Sequence, residues 1–144
     1  MKDIGKIVHL FVSQIGEKQR VEKKQLTLDE KGITEDKFYN KNIQRSILIT
    51  ATSSYDLALE KNISMPFGTL GENMLIDYNP YHLPSGTKLH IGDDVILEIS
   101  QYCTMCEHLS DVDKRLPTLL KNDRGIFAKV IQDGSIKEGD KIYM

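Results

Sequence analysis

The sequence predicts a mostly β fold, either a barrel or a sandwich, with one to three short helices, and two observations lead to this prediction. The apolar segments are short and rich in β-branched residues, and turns containing glycine, proline or aspartate separate them. The chain has 144 residues, of which 40% are hydrophobic and 28% charged, as in one ordinary globular domain. Because no repeat, linker or low-complexity tract interrupts it, we predict a single domain over residues 1–144.

The first half of the chain predicts three strands. Ile7–Val12 is β-branched and aromatic, which is typical of a strand. Val21–Leu28 alternates weakly between apolar and polar residues, which predicts a half-exposed strand after a charged turn. Gly32–Asn42 is polar without a helical period and predicts a long loop, and Arg45–Thr50 follows as a compact buried strand.

The second half predicts one helix and the strands that complete the sheet. Either Ser53 or Ser54 is expected to cap a short helix that runs to Leu59, because serine favours the position before a helix. The remaining strands are predicted at 73–76, at 88–99 as two strands about a Gly-Asp turn, at 125–130 and at 141–143.

Charge and cysteine content exclude several classes of protein. The net charge of −2 gives no global basic field, so we expect neither nucleic acid nor membrane as a partner. The two cysteines are too few for a secreted disulfide scaffold, which indicates a reducing compartment. The N-terminus lacks the apolar core and cleavage site of a signal peptide, and we therefore expect a cytoplasmic location.

The most reactive-looking feature is the pair Cys103 and Cys106, which have the CxxC spacing. Such a pair can be half of a zinc site, a redox couple, or two thiols of which one binds a metal. A structural zinc site needs four ligands, and no second CxxC is present. A redox couple requires a strand-to-helix turn within a βαβ unit, which the flanking segments do not resemble. Two thiols that merely pack against the preceding strand are the remaining alternative.

Two further segments carry polar groups that could face a ligand. Gly68–Asn73 has two glycines that allow close approach of the backbone, and Glu72 and Asn73 follow them at the start of a strand. Read alone, this segment is more often a structural loop. Asp36-Lys37 lies in the long loop, and Arg45 at a strand start offers a planar fork that suits phosphate or carboxylate.

Taken in order, these segments resemble the MOSC family, which is related to the C-terminal domain of molybdenum cofactor sulfurases. The resemblance covers most of the chain from about Ile7, and Cys106 falls where the family places its hallmark cysteine. The matching segments are Gly32–Asp36, Arg45–Ile49, Phe67–Asn73, Leu83–Gly92 and Gly125–Val130 with the closing Gly139–Ile142. The closing segment is similar to that of small stand-alone members of the family.

This resemblance implies a MOSC-type β-barrel that binds the molybdenum cofactor (molybdopterin). Cys106 would be the catalytic thiolate and metal ligand, since molybdenum prefers soft sulfur donors, and Cys103 would assist it. The activity implied is sulfur transfer to or from the cofactor, or cofactor-dependent reduction. The alternatives are a non-catalytic cofactor carrier and an interaction domain with a vestigial pocket.

The resemblance also implies roles for the polar residues and a class of partners. Arg45 and Lys37 would hold the phosphate of the cofactor, with Asp36 beside them, while Glu72 and Asn73 would shape the pocket. Molybdenum cofactor biosynthesis proteins or molybdoenzymes are the implied partners. The aminotransferase-like domain of the sulfurases has no counterpart in the sequence, so pyridoxal phosphate is not expected.

Overall fold

The fold is a closed β-barrel in a computed structural model that describes residues 1–103 and 109–144. The strands are β1 (Asp3–Val12), β2 (Val21–Lys23), β3 (Gln25–Asp29), β4 (Gly32–Ile33), β5 (Ile47–Ala51), β6 (Met74–Ile76), β7 (Lys88–Ile91), β8 (Val95–Tyr102), β9 (Ile126–Gln132), β10 (Gly134–Lys137) and β11 (Lys141–Tyr143). The helices are α1 (Thr52–Glu60), α2 (Leu109–Val112) and α3 (Leu116–Leu119), and a 3-10 helix spans Ile43–Arg45.

Seven strands in the described part of the chain close the barrel in the order β11-β7-β8-β9-β5-β6-β1, and β1 returns to pair with β11. Only β5 and β6 are parallel among these pairs, because α1 and the following loop carry the chain back to the same end of the barrel. The closure leaves no free edge between β1 and β11, and β2 pairs with the other part of β1. This architecture confirms the mostly β fold with short helices.

Strand β5 is buried along its whole length because it is covered on both faces. Ile47 and Ile49 face the barrel interior, whereas Leu48 between them packs in a second apolar cluster outside the barrel wall. The three short helices supply that second cluster through residues such as Tyr55 and Leu116. The helices therefore lie against the end of the barrel where β8 stops and Cys103 begins the next segment.

The single strand expected over Val21–Leu28 is two strands in different sheets. Val21–Lys23 pairs with β1, but Gln25–Asp29 pairs with β10 and β4 in a separate three-stranded sheet. The break falls at Lys24, whose carbonyl accepts a hydrogen bond from the Glu138 amide at 3.0 Å. The weak alternation of the segment could not reveal this change of partner, because period 2 continues through both strands.

Helix α1 begins without the serine cap that the sequence predicts. Ala51 occupies the cap position and makes no side-chain cap hydrogen bond. Ser54 is buried instead, and its hydroxyl donates to the Asp123 carbonyl at 2.6 Å and bonds the Tyr81 hydroxyl at 2.7 Å. Tertiary contacts therefore use this serine, which a local pattern could not anticipate.

No helix in residues 1–103 or 109–144 is long and apolar enough to cross a membrane.

Candidate functional site

A cavity of about 370 Å³ lies where the 3-10 helix, the 36–42 loop and the end of β8 meet. Its lining includes three cationic side chains, Arg20, Lys41 and Arg45, and the thiol-bearing residue Cys103. We call it the Arg45 cavity. Its volume falls in the usual range for small-molecule sites of about 300–1,000 Å³.

Arg45 enters this cavity from the 3-10 helix rather than from the strand where the sequence predicts it. The Asn42 side chain starts that helix by accepting from the Gln44 amide at 3.1 Å. The Arg45 guanidinium lies 5.2 Å from the centre of the Phe127 ring. With its amide oriented to satisfy both groups, Gln101 accepts from Arg45 Nε at 2.9 Å and from Nη2 at 3.2 Å. Strands β8 and β9 thus fix the guanidinium while Arg45 as a whole stays exposed.

Asp36 is buried beneath the cavity and organises the loop that carries it. Its carboxylate accepts from the Ser13 amide at 2.6 Å and from the Phe38 amide at 3.1 Å. It also forms an ion pair with Arg20 at 3.9 Å. Because these contacts occupy the carboxylate, Asp36 positions its neighbours rather than competing for an anionic ligand.

Arg20 and Lys41 are cationic residues of this site that sequence reasoning missed, and Arg20 is the more buried of the two. Its guanidinium donates to the Ser13 hydroxyl and lies 5.7 Å from the Phe38 ring centre. Burial lowers the pKa of Arg20, and the nearby carboxylates of Asp36 and Glu72 oppose that change. The sequence has no motif at this position, because Arg20 is the last residue of a segment with the composition of a charged turn.

Asn73 connects three elements at the base of the cavity. Its side-chain oxygen accepts from the Leu48 amide at 3.0 Å, and its nitrogen donates to the Phe11 carbonyl at 3.2 Å. A longer contact of 3.4 Å reaches Asp36. Asn73 therefore lines the cavity and also holds β1 and β5 in place around it.

Glu72 lies behind the cavity wall and is fully buried. One carboxyl oxygen accepts from the Tyr55 hydroxyl at 2.6 Å, from the Thr50 hydroxyl at 2.9 Å and from the Gly68 amide at 3.3 Å. The other oxygen has no hydrogen-bond partner among the described residues. Glu72 thus anchors the 68–73 loop from inside and does not reach the surface of the cavity.

Lys37 lines a neighbouring cavity of about 530 Å³ instead of the Arg45 cavity. Its ammonium group lies 5.1 Å from the Phe38 ring centre, and Arg20, Phe38 and Gly71 line both cavities. The two spaces therefore adjoin, and Lys37 could contact only the part of a ligand that extends past Phe38.

Cys103 is 8% exposed and packs in the apolar cluster beneath the helices. Its amide donates to the Gly125 carbonyl at 3.0 Å, which fixes the backbone where β8 ends. The structure thus places Cys103 and Arg45 in one cavity, although they are 58 positions apart in sequence (103 minus 45). Cys106, on which the sequence prediction of the reactive thiol falls, lies outside the described residues.

His9, Glu22 and Glu138 form a separate group in which one ligand atom from each lies within 4.8 Å of the others. His9 Nδ1 is 2.8 Å from a Glu22 oxygen, and the Lys24 ammonium is 3.0 Å from a Glu138 oxygen. Burial alone would raise the pKa of Glu138, but hydrogen bonds involving Glu22, Lys24, the Leu10 amide and His9 together lower it. The Lys24 ammonium pairs with Glu138 and His9 contacts both carboxylates, so this group is a polar network that joins β1 to β2 and to the turn after β10.

The arrangement in the Arg45 cavity suits an anionic ligand with a thiophilic atom. A guanidinium fork forms strong charge-assisted hydrogen bonds with phosphate, and sulfur is the donor that molybdenum prefers. The donor set of Arg20, Arg45 and Cys103 therefore fits a phosphate-bearing molybdenum cofactor.

The closed seven-stranded barrel and this cavity define the chain as a β-barrel domain with a small-molecule cavity. The MOSC domain family matches residues 35–143, and the chain belongs to this family. No curated protein matches the chain in sequence.

Several solved structures are similar to this chain in fold. The YuaD protein of Bacillus subtilis has a TM-score of 0.82 at 17% identity, covering 96% of this chain and 93% of its own. YiiM of Geobacillus stearothermophilus has a TM-score of 0.69 at 13% identity, covering 98% of this chain and 73% of its own. YiiM of Escherichia coli has a TM-score of 0.68 at 16% identity, covering 96% and 70%. At such identities these similarities establish the fold alone.

Proposed function

We propose that this MOSC protein binds the molybdenum cofactor in the Arg45 cavity. The observation that carries the proposal is that Arg45, Arg20 and Cys103, from three separate parts of the chain, line one cavity. The guanidinium groups of Arg45 and Arg20 would hold the phosphate. Cys103, which directly follows β8, would face the molybdenum as the assisting thiol. Membership of the MOSC family supports the identity of the cofactor.

The activity we propose is sulfur transfer to or from the cofactor, or cofactor-dependent reduction, through the thiolate of Cys106 with Cys103 as an assisting second thiol. When bound, the cofactor would supply a metal centre for sulfur or two-electron chemistry. The protein would orient it by its phosphate, and a nearby cation would favour the thiolate over the thiol. Partners would be cofactor biosynthesis proteins or molybdoenzymes, and the proposed location is the cytoplasm.

The test of binding is titration of the purified protein with isolated cofactor under anaerobic conditions. Arg45→Ala should weaken binding roughly tenfold or more, since a charge-assisted hydrogen bond contributes roughly 1.5–3 kcal/mol and about 1.4 kcal/mol is tenfold. Arg45→Lys should fall between, because an ammonium keeps the charge but loses the fork. The matched control is Arg115→Ala, which removes an exposed arginine that lines none of the cavities described here.

Full affinity in Arg45→Ala would contradict the phosphate assignment. Turnover separates the proposed activity from its alternatives once binding is established. Reduction of an N-hydroxylated compound or transfer of persulfide sulfur supports the enzyme. Retention of the cofactor without either reaction would instead identify a delivery module.

A further inference from the structure

Cys103 also lines a second cavity, of about 490 Å³, that the proposed cofactor site does not use. The end of β8 contributes Tyr102 to it, and the segment after α3 contributes Lys121, Asn122, Arg124 and Gly125. We call it the Lys121 cavity. Because Cys103 belongs to both linings, ligands in the two cavities would meet at this residue.

The described charged side chains that line the Lys121 cavity are all basic. Its basic side chains are His82, Lys121 and Arg124, and none of the described residues that line it is acidic. The Arg45 cavity, in contrast, includes Asp36, and the cavity lined by Lys37 includes Glu17. No carboxylate lies among the cations in the described part of this lining, and cations in a concave site attract anions.

One basic group of this cavity, Arg124, is held on a fixed frame. Arg124 donates from Nη2 to the Pro117 carbonyl at 2.8 Å, which ties the guanidinium to helix α3. The neighbouring Asp123 carbonyl binds the buried Ser54 hydroxyl at 2.6 Å, which ties the same segment to helix α1. Preorganisation of this kind lowers the entropy lost when a ligand binds.

The two tyrosines of the lining contribute ring surface rather than hydroxyl groups. The Tyr102 hydroxyl donates to the Tyr81 carbonyl. The Tyr81 hydroxyl accepts from the Ala51 amide at 2.8 Å and bonds the Ser54 hydroxyl at 2.7 Å. Since both hydroxyls are satisfied within the protein, and Tyr81 is buried while Tyr102 is half exposed, an apolar body can pack on the Tyr102 ring while its charge reaches Lys121 and Arg124.

We infer that the Lys121 cavity binds an organic acid through its carboxylate, with the apolar body of the acid against the exposed ring of Tyr102 and beside Cys103. The inference rests on the proposed function in one respect. The organic acid in this cavity would be the substrate, and it would lie on the other side of Cys103 from the cofactor in the Arg45 cavity. The preferred ligand is a planar acid, and neutral molecules of the same shape bind weakly.

The experiment uses benzoate as the probe and follows the backbone amides of the cofactor-free protein by NMR during titration. Saturable shifts are expected at residues that line only this cavity, such as Tyr102, Asn122 and Gly125. Benzamide, which has the same shape without the charge, should bind at least tenfold more weakly. Lys121→Glu should weaken benzoate at least tenfold, whereas the control Lys2→Glu makes the same change of charge on an exposed residue outside the cavities and should leave it unchanged.

Three results would overturn the inference: equal affinity for benzoate and benzamide, no effect of Lys121→Glu, or shifts confined to Ser46, Leu70 and Gly71 of the Arg45 cavity. The two proposals fail separately. Arg45→Ala should weaken the cofactor and spare benzoate, whereas Lys121→Glu should weaken benzoate and spare the cofactor. Benzoate binding in a protein that takes up no cofactor would therefore contradict the proposed function alone.

Discussion

The Tyr55 hydroxyl is the group whose removal tests the buried frame of the site most sharply. It donates to the Glu72 carboxyl at 2.6 Å and accepts from the amides of Gly68 and Leu70 at 3.1 and 3.3 Å. Burial raises the pKa of Tyr55 well above its usual range, and the Glu72 charge and hydrogen bond act in the same direction. The phenol is therefore protonated at neutral pH and donates its proton to Glu72.

Tyr55→Phe removes one oxygen and leaves the ring packing in place. A hydrogen bond contributes about 0.5–1.5 kcal/mol net, and a buried polar group deprived of its partner costs about 1–3 kcal/mol. Glu72 keeps the Thr50 hydroxyl and the Gly68 amide, but it is fully buried and its second oxygen has no partner among the described residues. We expect a loss of about 2 kcal/mol in the free energy of unfolding, or roughly 4–8 °C in Tm for a domain of this size.

The assay is thermal and urea unfolding followed by circular dichroism. Tyr39→Phe is the matched control, because it removes the same hydroxyl from a contact of 2.5 Å with the Asp29 carboxylate, which is only partly buried, and its effect should be much smaller. Equal stability losses in the two variants would refute the reasoning, since they would show that burial of Glu72 does not amplify the hydrogen bond. An unchanged Tm for Tyr55→Phe would do so directly.

Two further changes test other parts of the structure. Because the pKa of Glu138 is lowered in the folded protein, its contribution to stability is present above the ordinary value near 4.5 and is lost as pH falls through the folded value. Glu138→Gln should therefore lower Tm at neutral pH and flatten the decline of Tm below about pH 5. Glu30→Gln, on an exposed turn, should leave the dependence of Tm on pH unchanged. Parallel curves of Tm against pH for Glu138→Gln and the unaltered protein would contradict this. Gly125 has a φ of +151°, and a Cβ placed there would lie 2.8 Å from a Leu48 methyl carbon and 3.3 Å from the Ile49 carbonyl. Gly125→Ala should cost at least about 1–3 kcal/mol from backbone strain alone, measurable by urea unfolding, and Gly139→Ala, with φ of +92° but no heavy atom within 4 Å, should cost less.

The sequence predicts the strands of the barrel well because most of them have a local signal, a short run of β-branched residues. Ile7–Val12 and Arg45–Thr50 are compact β-branched runs, and each overlaps an observed strand, β1 and β5. Burial of β5 on both faces explains why the second run shows no alternation. The split at Lys24 was not predictable, since it depends on a hydrogen bond to Glu138 from the far end of the chain.

A residue of the site is predictable from sequence only where its side-chain chemistry stands out from its sequence neighbours. Arg45 stands out in the sequence as a cation beside an apolar strand, and it does line a cavity with Cys103. Arg20 carries no such signal, because its place depends on the buried Asp36 and on Ser13. Lys37 is adjacent to Asp36 in sequence but lines the neighbouring cavity, so its position next to Asp36 does not predict which cavity its side chain lines.

The measurement that tests the central claim most directly is the molybdenum content of the protein purified from a host that makes the cofactor. We expect molybdenum in amounts comparable to the protein, lost in Cys106→Ser and only reduced in Cys103→Ser, because Cys106 is the proposed ligand and Cys103 its neighbour. Absence of molybdenum from the unaltered protein would contradict cofactor binding. Full loading of Cys106→Ser, with alkylation labelling Cys103 first, would contradict the assignment of the thiol.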